Sequence, residues 1–274
     1  MPLILPGNVA SATAAVGYEI ANSCRFNSAD EPSFTKTSVS PTSARKFTIS
    51  FWMKNSCLFP ADMHLFTTGS STSASVNIYM ANNGMLTFRD PFSGAYEPLI
   101  LPKALLKDPA AWYHIVFAID SEQDTAADRV KVYYNGTKQT IFQTGIYGDE
   151  DHDFAGLGAD LTIKVGGHYS SNAEFDGYLA EFIFIDGTQY AASDFGEFDE
   201  DSPTIWKPKD PSDLTFGNNG FWLDFEASGN LGNDANGGTD LAENNIVAAD
   251  QATDTPTNNF CTMNPLQNRS LLAY

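Results

Sequence analysis

Two short acidic runs carry the residue types of a carboxylate pair. Side chains two apart on a strand share a face, and two carboxyls flanking a glycosidic bond can act as acid and nucleophile. EFDEDS offers Glu197 and Asp199, and EFDGYL offers Glu174 and Asp176. Both lie in polar stretches that read as solvated acidic turns, so neither is expected to be catalytic. A third acidic run, Asp149, Glu150, Asp151 and Asp153 around His152, could bring several oxygens to one hard cation. Calcium takes six to eight such ligands, but adjacent like charges also describe an ordinary solvated loop. Asp224, Glu226 and Asp234 form a rival candidate set for the same ion.

A sugar ring needs an aromatic platform beside polar loop residues, and Tyr147, His168, Tyr169 and Asn172 could supply one. The same residue types also fill the ends of β sandwiches. The histidines, His64, His114, His152 and His168, show no metal-ligand spacing. His114 alternates with Trp112 and Val116, which marks it as a satisfied strand histidine. No G-x-S-x-G elbow, P-loop or G-x-G-x-x-G run is present, and Cys57 near His64 in sequence does not make a pair.

Short strands must position these groups. Phe47, Ile49, Phe51 and Met53 alternate with Thr48, Ser50, Trp52 and Lys54, the two-residue period of a strand with one core face. Further strands are expected at 64–67, 76–80, 86–89, 113–119, 129–134, 161–165, 178–185 and within GFWLDFE. Asn135-Gly136 supplies the two positive φ angles of a type I′ hairpin, so residues 137–142 should return as the next strand. Turn signals separate most runs and no stretch sustains a helical period. The expected fold is all-β: a two-sheet antiparallel jelly-roll sandwich.

Three segments are expected: an extended N-terminal docking arm over residues 1–23, the jelly roll over 24–200, and a loop-rich C-terminal extension over 201–274 packed on the sandwich. The arm has no charge before Glu19 and offers the apolar anchors Leu3, Ile4, Leu5 and Val9. Its opening has no basic leader and only a three-residue apolar run, so it reads as neither signal peptide nor membrane span.

The 274 residues hold 34 acids against 15 bases, a formal net charge of −19. That excess argues against nucleic acid and against anionic membrane surfaces, both of which recruit Lys and Arg. Cys24, Cys57 and Cys261 are odd in number and widely spaced, which points to free buried thiols.

The series FTISFWMK, DPAAWYHIVFAIDSEQDTAADRVKVYYNG, FDGYLAEFIFIDG, IWKPKD and TDTPTNNFCTMNPL resembles the concanavalin A-like (laminin G-like) jelly-roll domain. More narrowly, it resembles the version in virion proteins of marine bacteriophages, of tail-fibre or appendage type. The resemblance implies a lectin-like scaffold on a virion, made in the host cytoplasm. It also implies partners among other virion proteins, copies of itself and host surface glycans, with calcium as the one candidate cofactor. Hydrolases of that fold use E-x-D-x-x-E; here Ser202 and Leu179 stand where the last acid would be. The reading is therefore a non-enzymatic virion structural protein such as a head decoration, spike or tail appendage. A free, calcium-dependent lectin module is the alternative.

Overall fold

The strand Lys46–Asn55 sits at the centre of the molecule and explains its layers. The structure, a computed structural model, describes residues 17–57, 61–71, 74–92, 95–169 and 173–258. Lys46–Asn55 pairs antiparallel with Tyr113–Asp120 on one side and Gly177–Asp186 on the other, placing Phe51 opposite Ile115 and Ile49 opposite Phe184. Val130–Tyr134 and Thr137–Lys138 extend the sheet at one edge, Ser23–Phe26 and Gln251–Ala252 at the other, and Phe221–Leu223 also pairs with Gly177–Asp186.

A second antiparallel sheet packs against the first. Its order is Phe142–Ile146, Ala95–Pro102, Leu86–Phe92, Ala74–Met80, Met63–Ser71, Thr162–Val165, Ser33–Thr37 and Ala242–Asn244. Between the sheets lies an aromatic core in which Phe51 stacks on Phe182 at 5.2 Å and Phe88 on Phe117 at 5.6 Å. Burying each such ring contributes roughly 2–3 kcal/mol over leaving it exposed. The architecture is the expected concanavalin A-like jelly roll.

The Asn135-Gly136 turn forms as expected, with φ of 45° and 75°, and registers Thr137 against Tyr134. The return strand does not run on to Phe142. Thr137–Lys138 stays in the first sheet, whereas Phe142–Ile146 crosses to the edge of the second, beside Ala95–Pro102. Continued alternation through TKQTIF hides a change of layer.

Strand Lys46–Asn55 is buried on both faces, not one: Thr48, Ser50 and Trp52 are covered as well as Phe47, Ile49 and Phe51. The cover comes from residues of the C-terminal extension that was expected to pack on the sandwich. Trp206, Leu214, Phe216 and Trp222 pack on the outer face of the first sheet, while Phe221, Leu223, Leu231, Leu241 and Ile246 enter the central core. Residues 201–258 thus complete both sheets and the core. The N-terminal arm also divides: Ile20 is buried beside Trp52 and Trp112, and Ser23 opens a strand. Leu3, Ile4, Leu5 and Val9 lie outside the described residues. Among the described residues, no helix is long and apolar enough to cross a membrane.

Candidate functional site

Alternation in the second sheet sends Val76, Ile78, Met80, Leu86 and Phe88 inward. Asn77, Tyr79, Thr87 and Arg89 therefore face outward. Registry then sets His64 against Tyr79 and Asn77 against Arg89. On that face the His64 ring stacks on Tyr79 at 4.9 Å, and the Arg89 guanidinium lies over the same tyrosine at 5.0 Å. The loop after Thr162–Val165 completes the cluster. His168 meets His64 edge-on at 4.5 Å, and Tyr169 packs on His168 at 4.3 Å.

Polar side chains surround these rings. Lys164 Nζ donates to the His168 carbonyl at 3.1 Å and lies 3.6 Å from a Glu174 carboxylate oxygen. Thr67 Oγ1 is 3.4 Å from His64 Nδ1 and 3.5 Å from Asn77 Oδ1. The Tyr169 hydroxyl is buried with no hydrogen-bond partner among the described residues. Burial pushes the His64 pKa down to about 3, and His168, Arg89 and Lys164 add to the effect. His168 is lowered too, first by burial and then by the same two cations. Both imidazoles are neutral at pH 7, so Arg89 and Lys164 against Glu174 leave one net positive charge. In a chain carrying −19 overall, this is a cationic, aromatic cluster in which His64 and Tyr79 are buried and Arg89, Lys164, His168 and Tyr169 are half-buried.

His168 and Tyr169 of the expected platform are thus brought together. Tyr147 is not with them: it packs near Phe142, beyond a sheet edge four strands from His64. At ~4.8 Å per strand the separation is about 19 Å. Asn172 lies outside the described residues. Glu174 proves not to be a solvated turn residue. It is 7% exposed and bridges the His64 backbone. His64, Tyr79, Arg89, Lys164 and Glu174 complete a site of which sequence alone supplies only two residues. The outward positions of VNIYM and LTFR were the available signal.

The acidic run behaves as a charge-paired loop. Arg45 binds Asp151 at 2.8 Å and Asp153 at 2.7 Å, while Arg129 reaches Glu150 at 3.4 Å. Asp224 Oδ1 accepts the Glu226 amide, whereas Asp234 Oδ1 accepts those of Trp222 and Asn236, so the rival set does not converge. No group of three or more His, Cys, Asp or Glu suited to a metal occurs among the described residues. Glu197 and Asp199 both face Lys207, at 3.4 and 3.5 Å, on the small ribbon Gly196–Phe198 with Trp206–Pro208. Asp176 accepts hydrogen bonds from Ser28 and Ser56.

His114 is satisfied, as expected, and in a way that excludes a Ser–His pair. Trp206 Nε1 donates to its Nδ1 at 2.9 Å. Indole is a donor only, so the imidazole proton sits on Nε2 and is directed at Ser50 Oγ, 2.9 Å away. The ring cannot take a proton from that hydroxyl. Burial alone drives the His114 pKa down to about 3. Cys24 is a fully buried free thiol raised well above its ordinary pKa by burial, Cys57 is a half-buried free thiol, and Cys261 lies outside the described residues.

No protein with a curated description matches this chain. Among solved structures, a native heptameric SAP-like pentraxin from Limulus polyphemus is similar at 16% identity and TM-score 0.43, covering 64% of this chain and 80% of that one. Domain 4 of the extracellular GH43 arabinanase AbnA from Geobacillus stearothermophilus, in complex with arabinotriose, is 22% identical at TM-score 0.37, covering 56% and 64%. The CBM40 of the Ruminococcus gnavus IT-sialidase, bound to α2,3-sialyllactose, is 16% identical at TM-score 0.37, covering 59% and 85%. The model of the Laminin_G_3 family, described as the concanavalin A-like lectin/glucanases superfamily, matches residues 28–194. That is more than half of the chain, and the chain belongs to this superfamily.

Proposed function

We propose that this concanavalin A-like domain is a non-enzymatic carbohydrate-binding protein that takes a carboxylate-bearing glycan on the outer face of its second sheet. The observation that carries the reading is the cluster of His64, Tyr79, Arg89, Lys164, His168 and Tyr169, cationic and aromatic on an acidic molecule, with Arg89, Lys164, His168 and Tyr169 as its half-buried, solvent-reaching members. Aromatic faces pack against the CH face of a sugar ring. Arg and Lys give charge-assisted hydrogen bonds to a carboxylate, roughly twice as strong as neutral ones. Neutral imidazoles can each donate one hydrogen bond and accept one.

The finer reading is display on a bacteriophage virion, as a decoration, spike or tail appendage. It is supported by the motif resemblance given above and by where the described ends of the chain meet. Ile20 and Thr257 exchange hydrogen bonds at 3.1 and 3.0 Å on the first sheet, opposite the proposed glycan face. Attachment from that side would leave the glycan face outward.

The test is calorimetric titration of the full chain with sialyllactose and with lactose, which lacks the carboxylate. Binding of sialyllactose should exceed that of lactose and weaken about tenfold in Lys164→Met and in His168→Ala, the loss of one charge-assisted or stacking contact. Equal affinity for both sugars, or parental affinity in both variants, contradicts the proposal.

A further inference from the structure

At the sandwich rim, the strand Ser33–Thr37, next to the edge of the second sheet, faces the loops 217–220 and 236–240 across a groove of about 690 Å³. Small-molecule sites fall in the range of about 300–1,000 Å³. The groove is lined by Lys36, Thr37, Asn218, Asn236, Thr239 and Asp240, with Val39 and Ala242 as apolar contacts. It shares no residue with the His64–His168 cluster, although Thr35 in its lining is paired with Lys164.

Two features mark it as more than a surface furrow. The Lys36 ammonium is half-buried, 5.9 Å above the Phe221 ring, and makes no ion pair among the described residues. Burial lowers its pKa, while Asp234 and Asp240 favour its charged form. Asp234 is 3% exposed, and its Oδ2 is buried without a hydrogen-bond partner. That oxygen lies directly behind Gly238, where a Cβ would collide with it, so only backbone separates it from the groove. Asp240 is held in place by the Asp234 amide and the Asn230 side chain, at 3.1 and 2.8 Å. The hydroxyls of Thr37 and Thr239 and the Asn236 amide make no internal side-chain hydrogen bond among the described residues.

We propose that this groove is a second carbohydrate site, which takes a neutral, polyhydroxylated sugar residue. Each sugar hydroxyl is both donor and acceptor. Lys36 donates only, Asp240 accepts only, and the threonine and asparagine side chains do both, which matches adjacent hydroxyls on one ring. Val39 and Ala242 meet the ring's CH groups. Charge within the groove is balanced by Lys36 against Asp240, so a neutral ligand fits it better than an anion. This site stands independently of the acidic-glycan surface.

The test follows backbone amide resonances of the ¹⁵N-labelled full chain during titration with the methyl α-glycosides of glucose, galactose and mannose. At least one should give saturable shifts at Lys36, Gly238 and Thr239. Lys36→Met keeps the stem over Phe221 and removes the donor, and should weaken that binding about tenfold. Thr239→Val, at an exposed position, should weaken it severalfold, and His168→Ala should leave it unchanged. An unchanged thermal midpoint in Thr239→Val keeps the test valid if Lys36→Met is poorly folded. The proposal is overturned if none of the three sugars moves those amides, if shifts gather only at His64 and His168, or if folded Thr239→Val binds as the parent does.

Discussion

Acid should destabilise this protein mainly through two histidines, and replacing both should remove most of the trend. His64 and His114 have an ordinary pKa of 6.5 in the unfolded chain and about 3 in the folded one, mainly because both are buried. Between those values the unfolded state holds the extra proton. Stability therefore falls as pH drops, by about 1.4 kcal/mol per pH unit for each histidine. Glu181 acts in the opposite sense. Burial pushes its pKa from 4.5 up to about 8, against hydrogen bonds from Tyr18 Oη at 3.0 Å and Trp222 Nε1 at 2.6 Å. The folded state then holds the extra proton, and stability falls as pH rises from 4.5 to 8. Two histidines against one glutamate leave a net loss of about 2.7 kcal/mol on going from pH 6.5 to 4.5. In a chain of this size that lowers Tm by about 5–10 °C. Scanning calorimetry at pH 6.5, 5.5 and 4.5 measures it directly. In the double variant His64→Gln/His114→Gln, Glu181 is opposed only by the smaller contribution of His168, so most of the fall in Tm should be gone over the same interval. A double variant that still loses Tm with the parental slope refutes the reasoning.

Two further outcomes are expected. Gly136→Ala puts a Cβ at φ 75° and into the Trp206 ring, so it should destabilise by roughly 3 kcal/mol in denaturant titration; a change below about 0.5 kcal/mol contradicts the packing of that hairpin on Trp206. Removing residues 1–16, which carry the anchors Leu3, Ile4, Leu5 and Val9, should abolish incorporation into virions, whereas removing residues 1–23 should also lower the thermal midpoint because Tyr18 and Ile20 pack on the first sheet. Normal incorporation of the shorter deletion contradicts the display reading.

What the sequence disclosed was governed by range along the chain. Alternation in FTISFWMK and the Asn135-Gly136 turn are local signals, and both appear in the structure. Burial of Thr48 and Ser50 depends on residues that arrive 140 or more positions later, such as Thr188 and Trp206, so it was not legible. The same holds for the candidate site. Its rings are assembled by strand registry, His64 against Tyr79 and Asn77 against Arg89, which no single run reveals. His168 and Tyr169 were visible as loop aromatics, while Glu174 was disguised by its acidic neighbour Asp176. The run around Asp151 looked like a cation site because its counter-charge, Arg45, lies 106 residues away.

The four histidines provide the most direct measurement. Imidazole ¹H–¹⁵N resonances of the full chain would be followed while sialyllactose is added. His64 and His168 should shift together and saturate, while His114, sealed beneath Trp206, and His152, bonded to Asp90 at 2.7 Å, should stay in place. Movement of His114 or His152 without His64 and His168, or no movement of any ring at saturating sugar, would contradict an acidic-glycan site on the second sheet.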